Sequence, residues 1–537
     1  MSAPQGTDVD SEVDGDDDGE GEMNGACSAE ARSGAGPAEA RRGTGSDEAG
    51  SRGVDGLRSA RPADVAAARG ERQRPPRADG APVVGKLLQL ARDPDGFYRE
   101  LGEGYDADAV AYSVNRTDAV MLTHPAYVQA VLVEEARSFR KGEVISRAFD
   151  GFAANGLVAS EGEQWTRDRK LLQPAFYRER VETYADAMVE AAERTADDWA
   201  DADVVRVDAD AKDLTLRIIA RTMFGTDLSG KGAVIGEAAD AILSRTSPQN
   251  LSSFLPVWVP TPSNRRFMRT MRDLRDVMSD LVSERKASDE AADDLLSILA
   301  DATYDDGTTM DREVIQDQLV TFVFAGHETT ALLLTWTLWE LARNPDAQAD
   351  LHAELDDALD GDGAVGADDA LGANESLGAA RGRAADESVT PDAVRDLQYL
   401  QAVVDESLRL HPPAYNTFRE AKRDVAVGPW EITEGTTVTT PQLVVHRDDR
   451  WYDDPLEFDP GRWTPAMRDA LPEYAHYPFG GGPRSCIGNR FATLEAKLIL
   501  ATILSRFEVE PVTERVEYQY SATLQPDRPV KLRFHER

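Results

Sequence analysis

The stretch Phe479-Gly480-Gly481-Gly482-Pro483-Arg484-Ser485-Cys486-Ile487-Gly488 sets one of only two cysteines behind a glycine-rich loop. A sulfur that ligates a metal must be kept deprotonated and rigid, and nearby backbone N–H groups tune how strongly it releases electrons. Glycines at 480 to 482 lack a Cβ, so the loop can fold against a flat ligand and turn amides toward the sulfur. From Asn489 to Leu498 apolar residues recur at helical spacing, which puts Cys486 at a helix N-terminus, where the dipole favours an anion. An isolated cysteine is more often a buried structural residue, so other motifs must decide between the two readings.

Three other groups carry chemistry. Trp165 and Arg169 are four residues apart and share one helix face, where an indole N–H and a guanidinium both donate to carboxylates. The largely apolar segment Arg312 to Arg343 holds a polar break, Ala325-Gly326-His327-Glu328-Thr329-Thr330, and a polar island in a buried helix costs free energy unless it serves something. Small residues at 325 and 326 let such a helix pass close to a flat cofactor, and Glu328 with Thr329 can relay protons; His327 takes no part in this. Glu406-x-x-Arg409 places an acid and a base on one face of a further helix, a pattern with little specificity by itself.

In this order along the chain, the motifs resemble those of the cytochrome P450 family of haem-thiolate monooxygenases, the loop matching at Phe479, Gly482, Arg484, Cys486 and Gly488. The resemblance covers roughly residues 82 to 537. It implies a mainly α fold, a large helical domain with small β-sheets. It implies haem b, iron protoporphyrin IX, with Cys486 as the metal ligand and Trp165, Arg169, Arg419, Arg484, Phe479 and Gly480 binding the cofactor. Glu328 and Thr329 become the catalytic proton relay. Glu406, Arg409 and Arg462 become a buried network that fixes the cysteine loop, residues 177 to 300 a mobile lid, and Ala414, Tyr415, Asn416, Thr417, Thr523 and Leu524 the pocket lining. The implied reaction inserts one atom of O2 into an organic, apolar small molecule. No flavin domain is expected after the cysteine helix, so electrons come from a separate ferredoxin or flavodoxin-type donor docking near Arg167, Lys170, Arg447, Arg490 and Lys497. Peroxide-driven or O2-independent chemistry and a thiolate-haem sensor are the alternatives; the intact Glu328-Thr329 pair argues against the first, and the lid and the lack of an output domain against the second.

The elements that must position these residues are framed by an acidic chain. Asp and Glu number 97 against 59 Lys and Arg, a formal charge of −38 that repels nucleic acid. Acid runs recur throughout, which points to adaptation to high salt in a halophilic archaeon. Two cysteines cannot build an iron–sulfur cluster. No uninterrupted apolar run reaches the roughly 18 residues of a membrane span, so a cytoplasmic protein with no membrane span, signal peptide or anchor is expected. Residues 1–78 lack the apolar content to order themselves and read as a disordered acidic, Arg-containing tail, residues 79–537 as the haem domain, and 357–390 as a disordered insertion. Lys86 to Leu101 predicts one amphipathic helix, followed by strands over 109–114 and 119–122.

Overall fold

A helix of 32 residues, Arg312–Arg343, runs through the largest apolar core and organises the rest of the computed structural model. The structure describes residues 72–81, 84–226, 228, 230–288, 294–360 and 389–537. At 1.5 Å per residue such a helix is about 48 Å long. It packs against Val207–Met223, Pro262–Ala287, Gln398–Leu410 and Asn489–Leu504, so it is apolar on nearly every side. Among the described helices it alone is long and apolar enough to cross a membrane, but most of its apolar stretch is buried inside the protein. The helix has the bounds expected from the sequence and continues through the polar residues at 325–330. Its threonines satisfy themselves locally, as when the Thr329 hydroxyl donates to the Ala325 carbonyl at 2.7 Å and that of Thr335 to Ala331 at 2.7 Å.

The largest sheet has five strands in the order Ala109–Val114, Thr117–Leu122, Thr437–Pro441, Asn416–Ala421 and Phe139–Arg140. Only the pairing of Thr117–Leu122 with Thr437–Pro441 is parallel. The first two strands, expected from the sequence as separate short strands, form a hairpin joined by Asn115 and Arg116 with φ of 47° and 68°, the geometry that matches strand twist in a two-residue turn. Asn416–Ala421 brings Arg419 into the interior. Among the described residues the remaining strands form a three-stranded sheet and two pairs, a mainly helical fold with small sheets, as expected.

Three boundaries differ from the sequence reading. Lys86 to Leu101 is two helices, Leu87–Arg92 and Pro94–Glu103, because Pro94 has no N–H to continue the first and the Asp93 carboxylate caps the second by accepting from Gly96 N at 2.9 Å. Residues 73–78, assigned to the tail, pair with the body: Gln73 bridges Trp430, Arg77 bridges Ala111, and Ala78 is buried. The helix Pro345–Asp360 and the buried Val389 narrow the stretch expected at 357–390, whose centre, 361–388, lies outside the described residues, as does 1–71.

Candidate active site

The cysteine loop is built by close backbone contacts. Cys486 N donates to Phe479 O at 2.9 Å and Gly480 N to Tyr477 O at 2.8 Å, which closes the loop on itself. Its glycines serve different purposes. A Cβ on Gly482, at φ +64°, would fall 1.9 Å from the Leu132 carbonyl, and one on Gly481 would strike the Tyr474 ring. Those two therefore let the loop pack on the protein rather than on a ligand. Gly480, at φ +70°, has nothing within 4 Å of its Cβ position, so it is the glycine with room beside it for a flat group. The helix Asn489–Leu504 starts three residues after Cys486, with Gly488 as its cap. Burial pushes the Cys486 thiol up, while the Gly488 amide and Arg169 favour the thiolate.

Above this loop stands a crowd of cations. On the helix Gly162–Leu172, Arg169 donates to the Ser485 carbonyl at 2.9 Å, and the half-buried Trp165 ring lies 4.2 Å beneath the Arg484 guanidinium. Arg484 also donates to the Ser160 carbonyl at 2.8 Å and sits 3.4 Å from Glu161. Burial, with Arg484 nearby, lowers the Arg419 guanidinium to about 10. Lys141, which sequence reasoning missed, is pushed well down by burial and then by Arg419 and Arg484. A lysine in a polar stretch carries no sequence signal; only the folded position reveals it. Arg484, Arg419 and Lys141 share the Glu161 carboxylate, which is half exposed. Desolvated like charges held together without matching anions fit a ligand that brings its own pair of carboxylates, as iron protoporphyrin IX does.

On the central helix, residues 324–326 and 329 keep partial exposure within a run that is otherwise buried from 317 to 342. Ala325 and Thr329 are one turn apart and share that open face. Gly326 has a different reason from the one expected: a Cβ there would meet Ile219 at 2.6 Å, so its size admits the helix Val207–Met223. Glu328 is wholly buried, 3.0 Å from Lys212 Nζ, and accepts from Gln525 Nε2 at 2.7 Å. Thr329 and Glu328 are thus adjacent in the chain but held in separate hydrogen bonds. His327 donates from Nδ1 to the Val323 carbonyl at 3.0 Å, and burial lowers its pKa, so it is a neutral core residue. The open face meets the cysteine loop through Phe176, which stacks on Phe322 at 5.5 Å and lies 3.8 Å from the Cβ position of Gly488.

Glu495, on the cysteine helix, is another residue the sequence did not single out. Burial pushes its carboxyl from an ordinary 4.5 up to about 8, partly opposed by Thr330. Such a group leaves stability intact below the unfolded value and removes it as pH climbs toward the folded one. Replacing Glu495 by Gln should therefore raise stability relative to wild type between pH 5 and pH 8, the gap widening by about 1.4 kcal/mol with each step of one in pH. Urea unfolding of both proteins at the two pH values tests this; parallel pH profiles contradict it.

The network behind the loop is complete. Arg409 is fully buried and uses every donor of its guanidinium: Nε and Nη2 to Glu406 at 2.8 Å each, Nη1 to the His446 and Pro455 carbonyls at 3.0 and 2.6 Å, and Nη2 again to Glu457 O at 3.0 Å. Glu406 accepts further from Arg462 Nε, Asp459 N and Trp463 Nε1, each at 2.9 Å. Burial opposes the charge on Glu406, but Arg409 and Arg462 outweigh it and hold the carboxyl below its ordinary range. Trp463 is a member that spacing did not show.

The expected electron-donor face does not assemble. Lys497 is buried, and Arg447 turns inward to the Tyr518 hydroxyl and the Leu410 carbonyl. Arg167 pairs with Asp306 at 3.0 Å and Lys170 with Asp305, which neutralises both; Arg490 remains exposed. The resemblance put these cations on the cysteine side but could not say which of them the fold would bury or pair.

Among the comparisons with known proteins, a model of the cytochrome P450 family matches residues 75–534. Pentalenene oxygenase of Streptomyces avermitilis is 33% identical over 464 residues, 86% of this chain and 97% of that protein. Cyclooctatin synthase of Streptomyces melanosporofaciens is 33% identical over 437 residues, 81% of this chain and 89% of the relative. Cyclooctat-9-en-7-ol 5-monooxygenase of the same organism is 30% identical over 440 residues, 80% and 88% of the two chains. With the loop, the cation cluster and the buried network in place, the chain belongs to the cytochrome P450 family and is a monooxygenase that uses haem b with a cysteine thiolate as axial ligand.

Proposed function

We propose that this monooxygenase oxidises an apolar, cyclic small molecule, a hydrocarbon or a sparingly hydroxylated one. The observation that carries this reading is the open face of the central helix, where Ala325 and the neighbouring, partly exposed Phe324 offer carbon and the Thr329 hydroxyl is already engaged with a carbonyl. An apolar wall with few free polar groups binds by burial and rejects charge. Pentalenene and cyclooctat-9-en-7-ol, in the names of two relatives, are compounds of this kind.

In this reading Cys486 ligates iron, Phe479 and Gly480 pack beside the cofactor, and Trp165, Arg169, Arg419, Arg484 and Lys141 hold its propionates. Haem, when bound, supplies oxygen activation, which electron release from the thiolate favours. The chain's own part is to exclude water and deliver protons. Lys212 and Gln525 line a solvent-open recess and both contact Glu328, so protons reach Glu328 from that side. Thr329 passes them on once Glu328 swings from Lys212 or a water joins the two. A ferredoxin or flavodoxin-type protein supplies electrons. The acidic composition suits a salt-adapted cytoplasm, with its dense carboxylates screened.

Optical titration of the holoprotein with a panel of cyclic hydrocarbons, their mono-alcohols and matched carboxylates tests the substrate class. A low- to high-spin shift saturating with the first two groups is expected. Saturation by the carboxylates alone contradicts the reading.

A further inference from the structure

Glu328 is held in a position that its own hydrogen-bonding needs do not explain. Its Oε1 takes two donors, Lys212 Nζ at 3.0 Å and Gln525 Nε2 at 2.7 Å. Its Oε2, in a side chain of zero exposure, has no hydrogen-bond donor among the described residues. His327 Nε2 lies 3.7 Å from that oxygen, beyond hydrogen-bond reach. A buried carboxylate oxygen without a donor forfeits its hydration and gains nothing in return, so an outside constraint fixes the group.

The two donors on Oε1 differ in what stands behind them. Lys212 is 30% exposed on a flexible four-carbon stem, so water can take its place. Gln525 is 8% exposed and gripped. Its Nε2 also donates to Thr523 Oγ1 at 2.6 Å, which commits both amide hydrogens. Turning the amide over would set its oxygen against the carboxylate, so one orientation is open to it.

The hairpin that carries Gln525, Tyr518–Tyr520 paired with Leu524–Pro526, is tied down from several sides. Within its turn, Ser521 Oγ donates to Thr523 O at 2.7 Å. From outside, the Tyr415 hydroxyl donates to Ser521 O at 3.0 Å, Leu524 N donates to Pro413 O at 3.0 Å, and Ala522 N donates to Thr246 Oγ1 at 2.9 Å. Trp336 Nε1 donates to Leu524 O at 3.4 Å, from the same helix as Glu328 and about two turns further along. Amide and carboxylate are thus fixed to one frame.

We infer that Gln525 is a positioning residue for the reaction: it keeps the Glu328 carboxylate turned to the solvent-open recess that Lys212 and Gln525 line, and away from the Thr329 hydroxyl. The inference rests on the proton route proposed above and assigns what sets the resting state of that route. Gln525 acts through Glu328 alone. Without its amide, the carboxyl is free to turn toward the open face that carries Thr329, and protons entering from the recess lose their fixed acceptor.

The test is the infrared stretching band of carbon monoxide bound to the reduced holoprotein, which responds to the electric field beside the bound gas. Wild type is compared with Gln525→Met, Glu328→Gln and the double variant; methionine keeps the length of the side chain and donates nothing. One band is expected in wild type and a second in Gln525→Met, whereas adding Gln525→Met to Glu328→Gln should add no band. Product formation should follow the same non-additive pattern, with about a tenfold fall for Gln525→Met and no further fall in the double variant. Thr523→Val, which leaves Gln525 in place and removes the second hold on its amide, should give the second band at lower intensity, and decides the matter if Gln525→Met does not load haem. A wild-type band in both Gln525→Met and Thr523→Val, or a second band that persists in the double variant, overturns the inference alone. Unchanged product formation in Glu328→Gln removes the proton route itself, and the inference with it.

Discussion

Replacing Arg409 by Met should yield protein that neither folds stably nor retains haem, with a loss of about 3–5 kcal/mol. Methionine fills much of the volume, so the effect is not a cavity. What it leaves is Glu406 at zero exposure with its main counter-charge gone, together with the carbonyls of His446, Pro455 and Glu457 stripped of their donor. Those carbonyls belong to the segment leading to the cysteine loop, so the damage reaches the site through the backbone. Arg409→Lys should rescue little, since an ammonium offers three donors where the site uses the full guanidinium fork. Chemical denaturation and haem content per protein measure the outcome. A methionine variant that folds and loads haem like wild type would show that the network does not hold the loop.

The second large effect concerns proton delivery. Glu328→Gln keeps the shape and a carbonyl for Gln525, but removes the proton carrier, and product formation should fall on the order of a hundredfold. Substrate affinity, read from the spin shift, should not move, because Glu328 is buried behind the open face rather than on it. A rise in the solvent deuterium isotope effect should accompany the fall. Undiminished product formation with an unaltered isotope effect would remove Glu328 from the route.

What could be read from the sequence depended on whether a motif's meaning is local. The cysteine loop, Glu406-x-x-Arg409 and the acid–threonine pair are each short, and their order along the chain identified the family before any fold was known. Phe479, Cys486, Trp165, Arg169, Arg419 and Arg484 fold into one region although more than 300 residues of chain separate the first of them from the last. Residues whose roles depend on distant partners escaped notice. Lys141 matters because Arg419 and Arg484 fold onto it, and Trp463 because its indole reaches Glu406 at 2.9 Å. Glycines misled for the same reason: Gly326 and Gly482 answer to Ile219 and Leu132, far away in sequence. The electron-donor face failed because exposure was assumed for Lys497 and Arg447, which the fold turns inward. A helix also ended sooner than its apolar spacing suggested, at Asp93-Pro94, where local chemistry overrode the period.

Central to everything above is the ligation of iron by Cys486. The carbon monoxide difference spectrum of the reduced holoprotein, recorded beside Cys486→His, tests it most directly. Wild type should give the strongly red-shifted Soret band of a thiolate-ligated haem, and the histidine variant should lose that band even where it still binds haem. A well-folded, haem-loaded wild type without the band, or a histidine variant that keeps it, would contradict the assignment of the ligand and the oxygen chemistry that rests on it.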